Sequence, residues 1–197
     1  VEFGSGTISF HHAKVQNISF IDCHLNSYIN LRFDKCELLD LKDTIVRDIL
    51  DLKPNEEGSA IKELNIRDMR ILGRLFINWR ENEVLKIISV QKDTADFQKA
   101  EQFRILKENF RNNGQYEDED AAYLAFRRFE SKAILDDAIK KDKKNAAWAY
   151  PAYYFQKYVF DYIGRYATDP TRTMANMVLT FFVFGVIYWI FSIHHGL

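Results

Sequence analysis

Four consecutive carboxylates, Glu117, Asp118, Glu119 and Asp120, stand between an Asn113–Gly114 turn and an aromatic-rich stretch that contains Arg127 and Arg128. Carboxylates at this density are the residue types of a metal centre or an acid–base site. Consecutive helical positions splay by about 100° each, however, so the four cannot converge on one ion without a loop. An EF-hand loop spaces its ligands at alternate positions around an internal glycine, and that pattern is absent. At the start of a helix, by contrast, unpaired N–H groups favour carboxylates by about 0.3–1 kcal/mol each. The spacing predicts the charged first turn of a helix. Arg127 and Arg128 are expected to pair with these acids from the next turns or from a neighbouring subunit. Glu117, Asp118, Glu119, Asp120, Arg127 and Arg128 are therefore expected at a helix coupling or subunit contact.

The other reactive residue types form no convincing site. His11, His12 and His24 have no ligand spacing with carboxylates or thiolates. His194 and His195 are adjacent, which puts their rings on different helix faces. Cys23 and Cys36 lie 13 residues apart with no CxxC, and are expected to be reduced and structural. No nucleophile motif, P-loop or dinucleotide fingerprint is present, so the expectation is no enzyme, no cofactor and no metal. With 27 basic and 28 acidic residues and a net charge of -1, charge gives no case for a nucleic-acid partner. The chain opens on Val1 with no signal peptide, and a piece of a longer protein is expected.

The elements around these residues change character along the chain. In the first fifty residues, apolar pairs two apart recur: Ile8 and Phe10, Ile18 and Phe20, then after a one-residue slip Ile29 and Leu31, Leu39 and Leu41, and after another slip Leu50 and Leu52. Between them fall smaller pairs: Ala13 and Val15, Cys23 and Leu25, Asp34 and Cys36, Thr44 and Val46. An inward pair every five residues is too short a period for helix pairs and too long for simple alternation. It suits a square β-solenoid, in which stacked coils bury a continuous column that no single coil could bury. Leu64 with Ile66, Met69 with Ile71, and Leu75 with Ile77 indicate that it resumes after "KPNEEGS" and ends near Trp79. An ordinary antiparallel sheet is the competing reading.

From Thr94 to Asn113, Phe97, Ala100, Phe103, Leu106 and Phe110 form one helical stripe, with Thr94 or Asp93 as the expected N-cap and Asn113–Gly114 as the stop. Ala122, Phe126 and Phe129 form a second stripe, with Tyr123 and Ile134 beside it. The two predict a helical hairpin. Its turn has a local likeness to a tetratricopeptide unit, but one unit makes no array.

Lys140, Lys141, Lys143 and Lys144 then precede a segment rich in Trp and Tyr, including Trp148, Tyr154 and Tyr158. Rings with polar tips prefer the lipid headgroup zone, and lysines beside them meet anionic lipid. Trp148 to Ile163 is expected to form a helix on the membrane surface, with Pro151 in its first turn; packing against the hairpin or a subunit is the alternative. Thr173 to Ile193 carries no charge and is long enough to cross about 30 Å of hydrocarbon. A buried core helix is the competing reading. Arg165 and Arg172 before it favour a cytoplasmic N-terminal side.

The small-x-Leu/Phe unit between Ile8 and Leu52 resembles the pentapeptide-repeat family, in a degenerate form with polar Asp34 at an inward position. The order of parts, with "FRNNGQYEDEDAAY" and "YIGRYATDP" leading into the span, resembles prokaryotic ion channels in which a cytoplasmic pentapeptide-repeat domain precedes a two-helix potassium-channel-type pore. In that family the approach to the first pore helix runs closer to Gly-Tyr-Gly-x-x-Pro; Arg165, Tyr166 and Ala167 depart from it. Acids and bases are nearly balanced in the repeat, unlike the anionic face of a DNA mimic. No filter of the TVGYG kind lies in these residues, so K+ would be a permeant ion only with a pore beyond them.

The expected fold is thus a β-solenoid (pentapeptide-repeat-like) plus an α-helical hairpin and one transmembrane helix. The expected domains are 1–79 solenoid, 80–143 linker and hairpin, 144–170 aromatic interfacial helix, and 171–197 the first helix of a truncated pore domain. The resemblance implies a cation-channel subunit in a prokaryotic plasma (inner) membrane, with its N-terminal domain cytoplasmic and a homotetrameric assembly. Lipid is the expected partner through Lys140, Lys141, Lys143, Lys144, Trp148, Tyr154 and Tyr158. A membrane-anchored protein-interaction scaffold without a pore is the alternative.

Overall fold

The computed structural model describes residues 2–3, 6–55, 60–141 and 143–195. The N-terminal part is a β-solenoid of about three turns, built from parallel sheets. One sheet runs β1 (Glu2–Phe3), β4 (His24–Leu25), β7 (Ile45–Val46) and β10 (Arg70–Ile71). A second runs β2 (Ile8–Ser9), β5 (Ile29–Asn30), β8 (Ile49–Asp51) and β11 (Arg74–Phe76). The third runs β3 (Lys14–Ser19), β6 (Lys35–Asp40) and β9 (Ile61–Asn65). Parallel pairing excludes the antiparallel alternative.

Ile8 pairs with Ile29 and Ile29 with Leu50, a repeat of 21 residues. Four five-residue sides leave one residue over, which is the slip seen in the sequence. The columns Ile29–Leu50–Leu75, Leu31–Leu52–Ile77 and Leu39–Leu64 are buried throughout. Leu50 pairs with Leu75, 25 residues on, and Cys36 with Ile61, also 25 on. The four extra residues fall between Asp51 and Ile61, the stretch that holds "KPNEEGS".

Corners are made by two devices. Asn30, Asp40, Asp51 and Asn65 each accept, through a side-chain oxygen, the N–H two residues on. These Asx turns bend the chain around the inward Leu31, Leu41, Leu52 and Ile66. His12, Asp22, Asp43 and Asp68 hold left-handed backbone at the next corner, a conformation that Asp tolerates better than most residues. Buried Thr44 stays satisfied because its hydroxyl donates to the carbonyls of Phe20 and Lys42. At Gly73 the coils approach so closely that a Cβ would lie 1.9 Å from the Asp48 carbonyl oxygen.

One inward assignment is corrected. Asp34 is exposed, and Phe33 fills the interior in its place. Both the Asp34 and Lys35 N–H groups bond the Ala13 carbonyl, so the chain pivots here and turns the polar residue outward. A charged side chain without a buried partner is too costly to point inward.

After β11 the chain turns into α1 (Val84–Ser89), α2 (Asp96–Asn112) and α3 (Tyr116–Lys141). Val84, Ile87, Ile88, Phe103, Leu106, Phe110, Ala122 and Ala125 join the core cluster of the solenoid, so residues 1–134 form one compact unit. The N-cap of α2 is Ala95, not Thr94 or Asp93; with no capping oxygen of its own, its N–H is bonded by Gln98 Oε1. Gly114, at φ 73°, ends α2 in a Schellman turn: Gln115 N–H bonds Phe110 O and Gly114 N–H bonds Arg111 O. Phe97 and Ile134 are exposed, so each apolar stripe is shorter than its spacing implies.

The second unit, residues 135–197, contains α4 (Lys143–Phe155), a π-helical segment (Gln156–Ile163), a short turn (Arg165–Ala167) and α5 (Pro170–His195). Helix α4 starts before Trp148, so Pro151 sits inside it and not in its first turn. A proline there removes one N–H bond and crowds the preceding turn; the wider π winding begins five residues later. Asp169 caps α5, its Oδ1 accepting the Arg172 N–H at 3.0 Å, with Pro170 at the first helical position.

Candidate functional site

The four acids do open a helix. Glu117, Asp118 and Glu119 lie in the first turn of α3, and Asp120 follows. Their roles differ. Glu117 and Asp120 are exposed. Asp118 Oδ2 accepts the Trp79 backbone N–H at 3.3 Å and the Gln115 amide at 3.1 Å. It ties the start of α3 to the chain leaving the solenoid. Although Asp120 is exposed as a residue, partial desolvation of its carboxyl and then the neighbouring Glu119 charge raise its pKa. Among the described residues, no group of three or more His, Cys, Asp or Glu side chains can hold a metal ion.

Arg127 makes an ion pair with Glu130 one turn along its own helix. Arg128 is exposed on the same helix. Between α2 and α3, Lys132 pairs with Asp96 at 2.7 Å, Phe103 stacks on Phe129 at 5.3 Å, and Lys107 lies over the Tyr123 ring at 5.2 Å.

The polar groups that matter most to this end of the solenoid carry no reactive signature. The last coil has a free edge, and amide side chains close it. Asn109 bonds both the N–H and the C=O of Leu75, and Gln102 Oε1 takes the Ile66 N–H at 3.0 Å. Gln91 reaches the Leu64 carbonyl and exchanges two 2.9 Å bonds with Gln102. Asn113 and Gln115 donate to the carbonyls of Leu75 and Ile77. A signal was present in the sequence: Gln102, Asn109 and Asn113 share the face of α2 that carries Phe103, Leu106 and Phe110.

An open groove of about 630 Å³ runs between the outer face of the β3–β6–β9 sheet and α1, past Leu38, Ile87 and Val90. Two of its carboxylates are paired: Glu37 with Lys62 and Glu83 with Lys86, each at 2.6 Å. At the corner leading into β3 and β6, His12 Nδ1 and Asn55 Nδ2 lie 2.8 and 3.2 Å from Asp34 Oδ1, linking three successive coils.

In the second unit, Trp148, Tyr154 and Tyr158 are all exposed. Tyr154 stacks on Tyr158 at 6.3 Å and Lys157 lies over Tyr153 at 5.9 Å. Lys140 is exposed, and Lys141 pairs with Asp137 at 2.7 Å. The side chains of Lys143, Lys144, His194 and His195 lie outside the described residues.

Helix α5 is long and apolar enough to cross a membrane: within Pro170–Ile193 an 18-residue window has mean hydropathy 2.0, and none of that window is buried. An apolar helix exposed on every side cannot be the core helix of this unit. Its approach is unusual. Arg165, Tyr166 and Ala167 hold φ of 43°, 50° and 65°. Left-handed backbone costs a residue with a Cβ about 1–2 kcal/mol. Fixing contacts surround it: Asn176 Nδ2 donates to Ile163 O at 2.8 Å, Thr168 Oγ1 to Arg165 O at 2.8 Å, and the Arg172 guanidinium lies 5.4 Å from the Tyr162 ring centre. Nothing in the residue types foretold three consecutive left-handed positions.

Comparison with protein-family models, with curated proteins and with solved structures finds no match for this chain.

Proposed function

We propose that this chain is the cytoplasmic regulatory or assembly module and the first membrane helix of a cation channel subunit, potassium being the ion implied by resemblance. The observation that carries the reading is α5, a 26-residue helix whose apolar side chains face outward all round. Such a surface is stable in hydrocarbon and a liability in water. The exposed Trp and Tyr side chains before it suit the headgroup zone. The β-solenoid agrees with the pentapeptide-repeat resemblance, and α2 with α3 is read as the hairpin that completes the cytoplasmic module. Fourfold assembly comes from the resemblance alone.

The decisive experiment uses the complete natural reading frame, reconstituted in vesicles. Potassium flux that a pore blocker abolishes is the expected result. A membrane-inserted protein that passes no ion overturns the channel reading and leaves a membrane-anchored scaffold.

A further inference from the structure

We infer that Gln156–Asn176 is a latched joint with two arrangements, through which the aromatic helix and α5 change their relative orientation while both stay helical. The inference rests on α5 being a membrane helix. Two features meet within this short stretch. The first is a π-helical segment, Gln156–Ile163. Tightening one such turn to ordinary α-helical winding releases one residue and rotates whatever follows by about 100°. The second is the left-handed run Arg165–Tyr166–Ala167, which no glycine relieves. A backbone of this kind persists only while its surroundings hold it.

The holding contacts are few and polar. Asn176 reaches back thirteen residues to the carbonyl of Ile163, the last residue of the π segment. That carbonyl would otherwise be an unpaired helix-end acceptor. Arg172 covers Tyr162, and Arg165 sits 3.6 Å from Asp169, the cap of α5. A side-chain amide hydrogen bond, a cation–π contact and a partly exposed ion pair all compete with water and headgroups at this depth. Losing them frees the strained run to relax, and the π segment has the spare residue to take up the change. The latched and released forms thus differ by discrete contacts, which is what a two-state element requires.

The test uses the full chain in phosphatidylcholine–phosphatidylglycerol vesicles, with spin labels at Phe155→Cys and Leu179→Cys diluted into unlabelled chain. Flotation with the vesicles is read first; a chain that stays behind overturns the membrane reading and this inference with it. In a chain that floats, one narrow distance is expected for the parent. Asn176→Leu combined with Arg172→Gln should cut that population by about twofold or more and add a second distance. Arg172→Lys should retain most of the original distance, and Ala167→Gly, which removes left-handed strain, should enlarge the latched share. Unchanged distances in the Asn176→Leu/Arg172→Gln chain overturn the joint alone and leave a rigid elbow.

Discussion

The side-chain amide of Asn109 bonds both backbone groups of Leu75: Oδ1 accepts its N–H at 3.2 Å and Nδ2 donates to its C=O at 2.9 Å. Leu75 belongs to the last strand, beyond which no further coil stacks. Asn109 therefore supplies what a next strand would have supplied. Open strand edges invite pairing with other chains, and covering them with a helix is one way proteins close them. The core passes without a break from the solenoid columns into α1, α2 and α3 because these buried amides satisfy the edge that the apolar side chains cover.

Replacing Asn109 by Leu leaves the Leu75 N–H buried without an acceptor, while the carbonyl keeps Asn113 at 3.1 Å. The single change should cost about 1–3 kcal/mol, the price of one orphaned backbone group. Asn109→Leu together with Asn113→Leu should cost more than the sum of the two singles, since each then removes the other's substitute. Urea unfolding of the four species measures this coupling. Strict additivity would show that the two amides act independently.

The four acids should separate into one structural residue and three lesser ones. Asp118 accepts two hydrogen bonds, so Asp118→Ala should cost about 1–2 kcal/mol, in the range of a lost helix cap. Glu117→Gln should change stability by a few tenths of a kcal/mol, as expected of an exposed charge in a first turn. Thermal unfolding of the single variants decides between this and an acidic patch that acts as a unit. Equal effects at all four positions would refute the division.

The thiols offer a test of the interior. Cys36 is wholly buried in the column between Val15 and Ile61, and burial pushes its pKa up to about 11. Cys23 is buried as well, and neither forms a disulfide. Reaction needs an accessible thiolate. In the folded protein at mildly alkaline pH, a thiol reagent should label Cys36 only at the rate of unfolding, whereas in denaturant both thiols should react at once. Rapid labelling of folded Cys36 would mean that the coils open locally at β6.

The inward columns of the solenoid were legible because stacking demands apolar residues at fixed intervals, and the slips after Leu25 and Val46 marked the coil length. Asp34 was misplaced because the five-residue frame ignores a local pivot at Phe33. The corner chemistry was written in the sequence as Asn30, Asp40, Asp51 and Asn65 directly before the inward Leu31, Leu41, Leu52 and Ile66, but single polar residues carry little weight until coils are superimposed. Helix α1 is six residues long, too short for a periodic signal. Gln102 and Asn109 share a face of α2 with Phe103, Leu106 and Phe110, but what makes these residues and Gln91 interior is a strand edge more than twenty residues earlier in the chain. Pro151 misled for the opposite reason: its preference for a first turn yielded to a helix already under way.

The acid side of the stability profile should trace to two carboxylates on the solenoid flank. The hydrogen bond from His12, followed by that from Asn55, holds the Asp34 carboxyl below its usual range. Bonds from Lys62 and Lys35 do the same for Glu37. A carboxyl whose pKa is lower folded than unfolded binds fewer protons in the folded state. Its contribution is therefore fully present above the unfolded value and is lost as pH falls through the folded one. Asp120 has the opposite sign, because its raised pKa makes ionisation unfavourable to the fold as pH rises through that range. Asp34→Asn with Glu37→Gln should lower the unfolding temperature near neutral pH and flatten its fall on acidification, while Asp120→Asn should leave the acid limb as steep or steeper. Melting curves between about pH 2 and pH 6 compare the slopes directly. An acid limb equally steep in the double variant would place the responsible groups elsewhere in the protein.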